Sequence, residues 1–270
     1  MRIAISNIAW NPTDEAGILD VLAANGIEGI EIAPTKIWPN WDDATPAAAA
    51  LYRRRLADAG FAIPALQAIL YGRPEALLFG EPPARQRFFD HICRVADLAA
   101  ALGAHAMVYG APGSRDRGTL PAERAFEVAR ATFERLAAAC AARGTTLCIE
   151  PNPPRYSCNF ITTGQEGLAL VEAVASPGFR LHLDTAGMML VADDVGDLIP
   201  KALPVLDHFH ISEPDLAPIV PAQLDHQALA NVLLQCGYSR WVSIEMRAAT
   251  NAVEAVRQAV EYVARLYPDT

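Results

Sequence analysis

Two alternating patterns of hydrophobic and polar positions run along the whole chain. Longer segments place apolar residues every three or four positions, the spacing that predicts amphipathic helices. Five such segments end in a glycine just before the next apolar run, at Gly26, Gly60, Gly103, Gly144 and Gly237, as expected where a helix stops. The short runs between them are apolar or β-branched and predict strands. These predicted strands cover residues 3–8, 27–33, 62–70, 104–110, 145–151, 179–185, 206–212 and 240–246.

The alternation of strand and helix predicts an α/β protein with a parallel sheet. Eight such units in about 250 residues match the size of a (β/α)8 TIM barrel. A doubly wound open sheet is the structural alternative. It usually carries a glycine-rich phosphate loop after an early strand, and no G-x-G-x-x-G follows the strand at 3–8. Because no linker or low-complexity segment interrupts the pattern, we expect one domain over residues 1–270.

Net charge and cysteine content indicate which kinds of binding partner and cellular compartment are expected. The formal net charge of -9 disfavours binding to nucleic acid or to an anionic membrane surface. The five cysteines are scattered without a C-x-x-C motif, which is typical of a reducing compartment. We see no signal peptide and no apolar run of the ~20 residues that a membrane span needs. The expectation is a soluble, cytoplasmic protein that acts on a small molecule.

The last four predicted strands each end in a side chain that binds divalent metals. These side chains are Glu150, Asp184, His210 and Glu245. In a barrel the functional groups cluster at the carboxyl ends of the strands, where three carboxylates would repel one another unless a cation neutralised them. A single glutamate at a strand end is usually solvated or salt-bridged. Solvation and salt bridges do not readily explain four metal-binding side chains at the ends of four consecutive strands. We predict one divalent metal, with Mn or Co favoured over Mg or Zn.

Two further histidines belong to the same strands. His182 and His208 lie two positions before Asp184 and His210, and residues two apart on a strand share a face. We expect both to fill the layer below the metal ligands and to hydrogen-bond a ligand carboxylate.

The segments CIEP, LHLDT, HFHIS and SIEM on strands five to eight resemble the xylose-isomerase-like barrels of the sugar isomerase/epimerase superfamily. That group includes ketose 3-epimerases, hydroxypyruvate isomerases, inosose dehydratases and abasic-site endonucleases. The resemblance implies the barrel and a divalent metal, and it constrains the reaction only loosely. It also implies that Glu150 and Glu245 form the catalytic acid/base pair, and it makes a homodimer an expectation.

Proton transfer next to a carbonyl needs a nearby base and stabilisation of the enediolate that develops, which a bound metal supplies. We therefore expect a metal-dependent isomerase or epimerase acting on a small sugar, sugar acid or sugar phosphate. A dehydratase of the inosose or dehydroshikimate type is the alternative. An abasic-site endonuclease is disfavoured by the acidic charge, and a non-catalytic sugar-binding barrel would be favoured by the loss of a metal ligand.

Three positions depart from the ketose 3-epimerase pattern. Tyr156 stands where those enzymes carry a glutamate, Gly187 lies at or near the place of a histidine, and Leu216 replaces an arginine. All three positions bind substrate in that branch, so the departures argue against epimerisation of a free ketohexose.

Other residues after the predicted strands are candidates for substrate recognition. An arginine in the loop 109–118 could bind phosphate or carboxylate, and polar or aromatic groups near other strand ends could contact sugar hydroxyls or simply pack locally. These substrate-binding candidates are Glu31, Gln67, Trp10, Arg115, Arg117, Asn152 and Glu213. His226, next to Asp225, is most simply part of a helix cap.

Overall fold

The computed structural model describes residues 1–267 and contains the eight parallel strands that the sequence predicts. They are β1 (Arg2–Ser6), β2 (Gly29–Glu31), β3 (Ala65–Leu66), β4 (Ala106–Tyr109), β5 (Thr146–Ile149), β6 (Phe179–Asp184), β7 (Leu206–Ser212) and β8 (Trp241–Glu245). They pair in the order β2-β1-β8-β7-β6-β5-β4-β3. Isolated bridges from Gly29 to Ala62 and from Ile32 to Leu66 bring the two edges together. The predicted TIM barrel is confirmed.

Helices surround this nearly closed barrel. They are α1 (Glu15–Ala24), α2 (Pro34–Ile37), α3 (Pro46–Asp58), α4 (Pro82–Leu102), α5 (Ala122–Ala141), α6 (Gly164–Val174), α7 (Thr185–Leu190), α8 (Val195–Ala202), α9 (His226–Gln235) and α10 (Ala252–Leu266). Gly103 ends α4 at a φ of 76°, in the left-handed region that glycine adopts without strain. Within residues 1–267, no helix combines the length and the apolar character needed to cross a membrane.

Strand β3 is much shorter than the predicted segment 62–70. Pro64 lacks an N–H group for the ladder, and Ala68 has a φ of 52°, which turns the chain out of the sheet. The segment from Ala68 to Tyr71 therefore crosses the open end of the barrel and lines the cavity there.

The register of the last three strands fixes which side chains share a level inside the barrel. Between β6 and β7, His182 is paired with His208 and Asp184 with His210. Between β7 and β8, Ser212 is paired with Glu245. Because alternate residues of each strand point inward, the interior contains one layer with His182 and His208, and a layer above it, nearer the open end, with Asp184 and His210.

Candidate metal centre

The four predicted metal ligands converge at the carboxyl ends of β5 to β8. Glu150, Asp184 and His210 each offer a ligand atom, and these three atoms lie within 4.8 Å of one another. Glu245 joins them from β8, with its Oε2 atom 3.3 Å from Nδ1 of His210. We refer to these four residues as the mouth site. Its three oxygen-type ligands and one imidazole suit a divalent cation.

A cavity of about 280 Å³ opens directly onto the mouth site and contacts Glu150, His210 and Glu245. Its other walls are Gln67, Ala68, Ile69, Leu70, Tyr71, Val108, Gly110 and Ala111. The volume is close to the lower end of the ~300 Å³ to ~1,000 Å³ typical of small-molecule sites. A compact ligand in this cavity would touch both glutamates.

Burial and mutual repulsion make it unfavourable for the carboxyl groups of the mouth site to ionise. Burial, together with the charges of Glu245 and Asp184, raises the pKa of Glu150 to about 8. Burial and Glu245 likewise raise the pKa of Asp184 to about 6. A bound divalent cation would relieve this cost, because it favours the ionised form of each ligand. The donor set and its electrostatics therefore fit a metal.

His210 is oriented by a second carboxylate deeper in the barrel. Its Nε2 atom lies 2.9 Å from Oε2 of Glu31, which leaves Nδ1 facing Glu245. Burial by itself lowers the pKa of His210, but Glu31 and Glu245 outweigh that effect and raise the pKa well above its usual value. A carboxylate on the far nitrogen is the arrangement that fixes the ring of a metal-binding histidine.

Asp184 is fixed by two hydrogen bonds. The backbone N–H of Gly187 donates to Oδ1 at 2.6 Å, and the Ser212 hydroxyl donates to Oδ2 at 2.5 Å. The sequence analysis missed Ser212. A signal was available, because Ser212 lies two positions after His210 and so faces the same side of β7.

Glu150 lies against a residue that has no side chain. A Cβ atom built on Gly110 would overlap Oε2 of Glu150, so the glycine leaves the space that the carboxylate occupies. The sequence analysis missed Gly110 as well. A glycine immediately after a strand end is compatible with an ordinary turn, and only the structure shows the close approach.

Glu31, a predicted substrate-binding residue, does not line the cavity. It has no exposed surface, and the Ser243 hydroxyl donates to its Oε2 atom at 2.6 Å. The two carboxylate oxygens of Glu31 also contact His210 and His208. Its position at the end of a strand was correct, but the side chain points to the barrel axis below the cavity.

Arg115 and Asn152 also differ from the prediction. Arg115 has no exposed surface, and its guanidinium donates to the carbonyls of Tyr109 and Glu150 and to Oδ1 of Asn152 at 2.6–3.1 Å. The arginine therefore ties the loop after β4 to the end of β5 and cannot reach a ligand in the cavity. Arg117 donates to the carbonyls of Asn159 and Leu120 and does not line the cavity.

Glu213 is likewise a structural residue of its loop. It is completely buried, and its Oε1 atom accepts from the backbone of Gln223 at 2.9 Å and lies 3.0 Å from Nε2 of His226. His226 therefore pairs with Glu213 and does not cap, whereas Asp225 caps α9 through the N–H of Ala228 at 3.0 Å.

Of the remaining substrate candidates, Gln67 lines the cavity next to the mouth site. Its Nε2 donates to the Ser6 hydroxyl at 2.6 Å, which leaves its carbonyl oxygen available. Trp10 lies elsewhere: it is buried and lines a different cavity together with Asn7 and Lys36.

His182 and His208 occupy the predicted layer but make other contacts than expected. Nε2 of His208 lies 3.3 Å from Glu31 and not against a carboxylate of the mouth site. Neither ring nitrogen of His182 has a hydrogen-bond partner within residues 1–267. The expected hydrogen bonds to ligand carboxylates are therefore absent from this part of the chain.

Known proteins resemble this chain in sequence and in fold. An L-ribulose 3-epimerase of Mesorhizobium japonicum is 31% identical over 115 residues, 43% of this chain and 38% of the relative. An L-ribulose 3-epimerase of a Methylomonas species is 30% identical over 137 residues, 51% of this chain and 45% of the relative. The chain thus matches less than half the length of either relative. A solved D-psicose 3-epimerase, studied in the presence of D-fructose, superposes with a TM-score of 0.81 at 20% identity over 99% of both chains.

The family model described as the xylose isomerase-like TIM barrel matches residues 19–266, which include all four residues of the mouth site. This match agrees with the resemblance to xylose-isomerase-like barrels that the sequence at the ends of strands five to eight indicated. The protein belongs to the xylose isomerase-like TIM barrel family.

Proposed function

We propose that the protein is a divalent-metal-dependent epimerase or isomerase of a small sugar. The observation that carries this proposal is the convergence of two glutamates, Glu150 and Glu245, on His210 at the floor of one cavity. The partial sequence similarity to L-ribulose 3-epimerases supports the same class of reaction.

Glu150, Asp184, His210 and Glu245 would hold the cation. When bound, a divalent cation would polarise the carbonyl of the sugar and stabilise an enediolate. The residues of the chain have to provide the base, the acid and the orientation. Asp184 and His210 are both fixed from behind, by Ser212 and by Glu31, so their part is to hold position.

Glu150 and Glu245 are the proposed acid/base pair. They end β5 and β8, which are separated in the sheet by β6 and β7, so they approach the cavity from different strands. One carboxylate can remove the proton from the carbon next to the carbonyl while the other returns a proton from its own side. Return to the same carbon inverts its configuration, and return to the neighbouring carbon isomerises the sugar.

The walls of the cavity favour an unphosphorylated substrate. No lysine or arginine is among the described residues that line it, and Arg115, the expected phosphate ligand, is buried behind Glu150. The amide of Gln67 is a polar group within the cavity that can hydrogen-bond a hydroxyl, and the aliphatic wall from Ile69 and Leu70 can pack against carbon atoms. We therefore propose a small, neutral, unphosphorylated sugar as the substrate, and the departures at Tyr156, Gly187 and Leu216 favour a ketopentose over a free ketohexose.

The test is solvent exchange during turnover. Metal-free protein is reconstituted with Mn²⁺ and incubated in D₂O with a panel of ketopentoses, ketohexoses, their phosphates and sugar acids, and products are analysed by mass spectrometry and NMR. We expect an inverted or isomerised sugar with one deuterium at the reacting carbon. We also expect Glu150→Gln and Glu245→Gln to lose this product, while Glu123→Gln, an exposed residue on α5, retains it.

Two outcomes would redirect the proposal. Release of a product lighter by one water would identify a dehydratase. Absence of exchange and of product across the panel, with metal present in the protein, would contradict catalysis on sugars and favour a binding role.

A further inference from the structure

A cluster of three histidines lies directly below the mouth site. His182, His208 and His210 each offer a ring nitrogen, and these nitrogens lie within 4.8 Å of one another. The ring centroids of His182 and His210 are 4.1 Å apart. All three side chains are almost completely inaccessible to solvent. Three imidazoles are one of the known ligand sets of a catalytic zinc ion.

The unpaired ring nitrogens of His182 are a second sign of a ligand between the three histidines. Both are buried, and neither has a hydrogen-bond partner in the part of the chain that the structure describes. A buried polar group without a partner costs a few kcal/mol, and nearly all such groups in native proteins are paired. An ion between the three rings would give one of these nitrogens a ligand bond in place of the missing hydrogen bond.

Glu31 provides the negative charge that a cation in this place would require. Its Oε1 atom is 3.3 Å from Nε2 of His208 and its Oε2 atom is 2.9 Å from Nε2 of His210. The Ser243 hydroxyl holds the same carboxylate at 2.6 Å. The carboxylate is therefore fixed beside two of the three imidazoles, and the donor set becomes three nitrogens and one oxygen.

We propose that His182, His208, His210 and Glu31 form a second divalent-metal site, the deep site, selective for a nitrogen-preferring ion such as Zn²⁺ or Co²⁺. The mouth site, with three carboxylates and one imidazole, differs from it in accepting a more oxygen-preferring ion such as Mn²⁺. Nε2 of His210 faces the deep site and Nδ1 faces Glu245, so His210 lies between the two ions. Binding at the deep site displaces the proton on Nε2 of His210 and binding at the mouth site displaces the proton on Nδ1; both protons are released to solvent, so that with both ions bound His210 is a bridging imidazolate. The inference goes beyond the proposed reaction and shares with it only His210 and the Glu31 carboxylate that contacts His210.

An access route leads to the deep site from the opposite end of the barrel. A cavity of about 460 Å³ opens at the amino ends of the strands and reaches His208. The buried Asp207 carboxylate lines this cavity together with His105, and these two side chains are 3.0 Å apart. This cavity approaches His208 from the side opposite to the substrate cavity, and Arg240, which pairs with Asp207, also lines it.

The test counts and characterises bound Co²⁺. The metal-free full chain is titrated with Co²⁺ while visible absorption is recorded, because four-coordinate Co²⁺ with nitrogen ligands absorbs far more strongly than six-coordinate Co²⁺ with oxygen ligands. We expect two equivalents per chain, one of them with the intense four-coordinate bands. His182→Leu should bind one equivalent and lose those bands. Asp184→Asn should keep the bands and lose the weakly absorbing equivalent.

The matched control is His91→Gln. His91 is also buried, but it lies on α4 and its Nε2 contacts the carbonyl of Ile69 at 2.8 Å, so this variant should bind two equivalents. Absence of the intense four-coordinate bands from the wild type, or the same uptake and bands in folded His182→Leu as in the wild type, would overturn the proposal. If His182→Leu does not fold by circular dichroism, the wild-type titration decides alone. Loss of the Asp184-dependent equivalent bears on the proposed function and not on the deep site.

Discussion

Gly110 leaves the space in which the carboxylate of Glu150 lies, since a Cβ atom at position 110 would overlap Oε2 of Glu150. This close approach is between the residue that follows β4 and the residue that follows β5. It makes the position of a proposed catalytic group depend on the absence of a side chain on the neighbouring strand.

Gly110→Ala should therefore displace the Glu150 carboxylate from the mouth site. We expect a loss of turnover of ~100-fold or more, the size of effect typical of a misplaced general acid or base, together with weaker binding of Mn²⁺. The control is Gly113→Ala, because a Cβ atom at Gly113 meets nothing within 4 Å and should change turnover less than about twofold. Equal activities of the two variants would contradict the positioning of Glu150 by Gly110.

Ser212→Ala removes the hydroxyl that donates to Asp184 at 2.5 Å. Partners of this kind typically change metal affinity by ~10-fold to ~100-fold, so we expect weaker Mn²⁺ binding in isothermal titration calorimetry while the fold is retained. Ser239→Ala is the matched control, since Ser239 is exposed and far from Asp184 along the fold. If Ser212→Ala binds Mn²⁺ as tightly as the control, the hydrogen bond does not orient the ligand.

The stability of the metal-free protein should fall as pH rises through the neutral range. The pKa of Glu150 is raised from its ordinary value of 4.5 to about 8 in the folded state. Below pH 4.5 the carboxyl is protonated in both states and its contribution to stability is fully present. Between pH 4.5 and pH 8 the unfolded chain releases this proton while the folded chain retains it, so stability is lost as pH rises through the folded pKa.

Urea unfolding of metal-free protein at pH 5.5 and pH 7.5 measures this effect. We expect the wild type to lose on the order of 2 kcal/mol more than Glu150→Gln between these two pH values. Saturating Mn²⁺ should reduce the difference because it favours the ionised carboxylate. Parallel pH dependences of the wild type and Glu150→Gln would show that the folded pKa of Glu150 is not raised.

Arg115→Met should destabilise the protein. It removes donors from the carbonyls of Tyr109 and Glu150, and buried acceptors left without partners cost ~1–3 kcal/mol. We expect a drop of about 3 kcal/mol in the free energy of unfolding, against less than 0.5 kcal/mol for Arg124→Ala at an exposed site on α5. Wild-type stability in Arg115→Met would show that the guanidinium does not hold the loop after β4 to β5.

The barrel and the convergence of the four strand-end side chains could be predicted from sequence because both depend on local, repeated signals. The glycine at position 103 marks the end of α4, and the period of the apolar residues separates strands from helices. Asp184 and His210 could be placed because parallel strands present their carboxyl ends on one side of the barrel, so inward residues near those ends can be assigned from sequence position.

The residues around the ligands were harder to assign because their contacts cross the barrel. Glu31 approaches His210 from 179 positions away in sequence, and no local pattern shows whether a strand-end carboxylate faces the axis or the cavity. Arg115 is similar, since an arginine in a polar loop is usually exposed. Its burial follows from three acceptors that β4 and β5 supply only in the folded protein.

The most direct test of a shared cation at the four strand ends is anomalous diffraction from crystals grown with Mn²⁺ and recorded on both sides of the manganese absorption edge. The account predicts one anomalous peak in contact with Glu150, Asp184, His210 and Glu245, and no peak there in Asp184→Asn crystals. A crystal whose Mn²⁺ lies only elsewhere, with these four side chains bound to one another or to solvent, would contradict it.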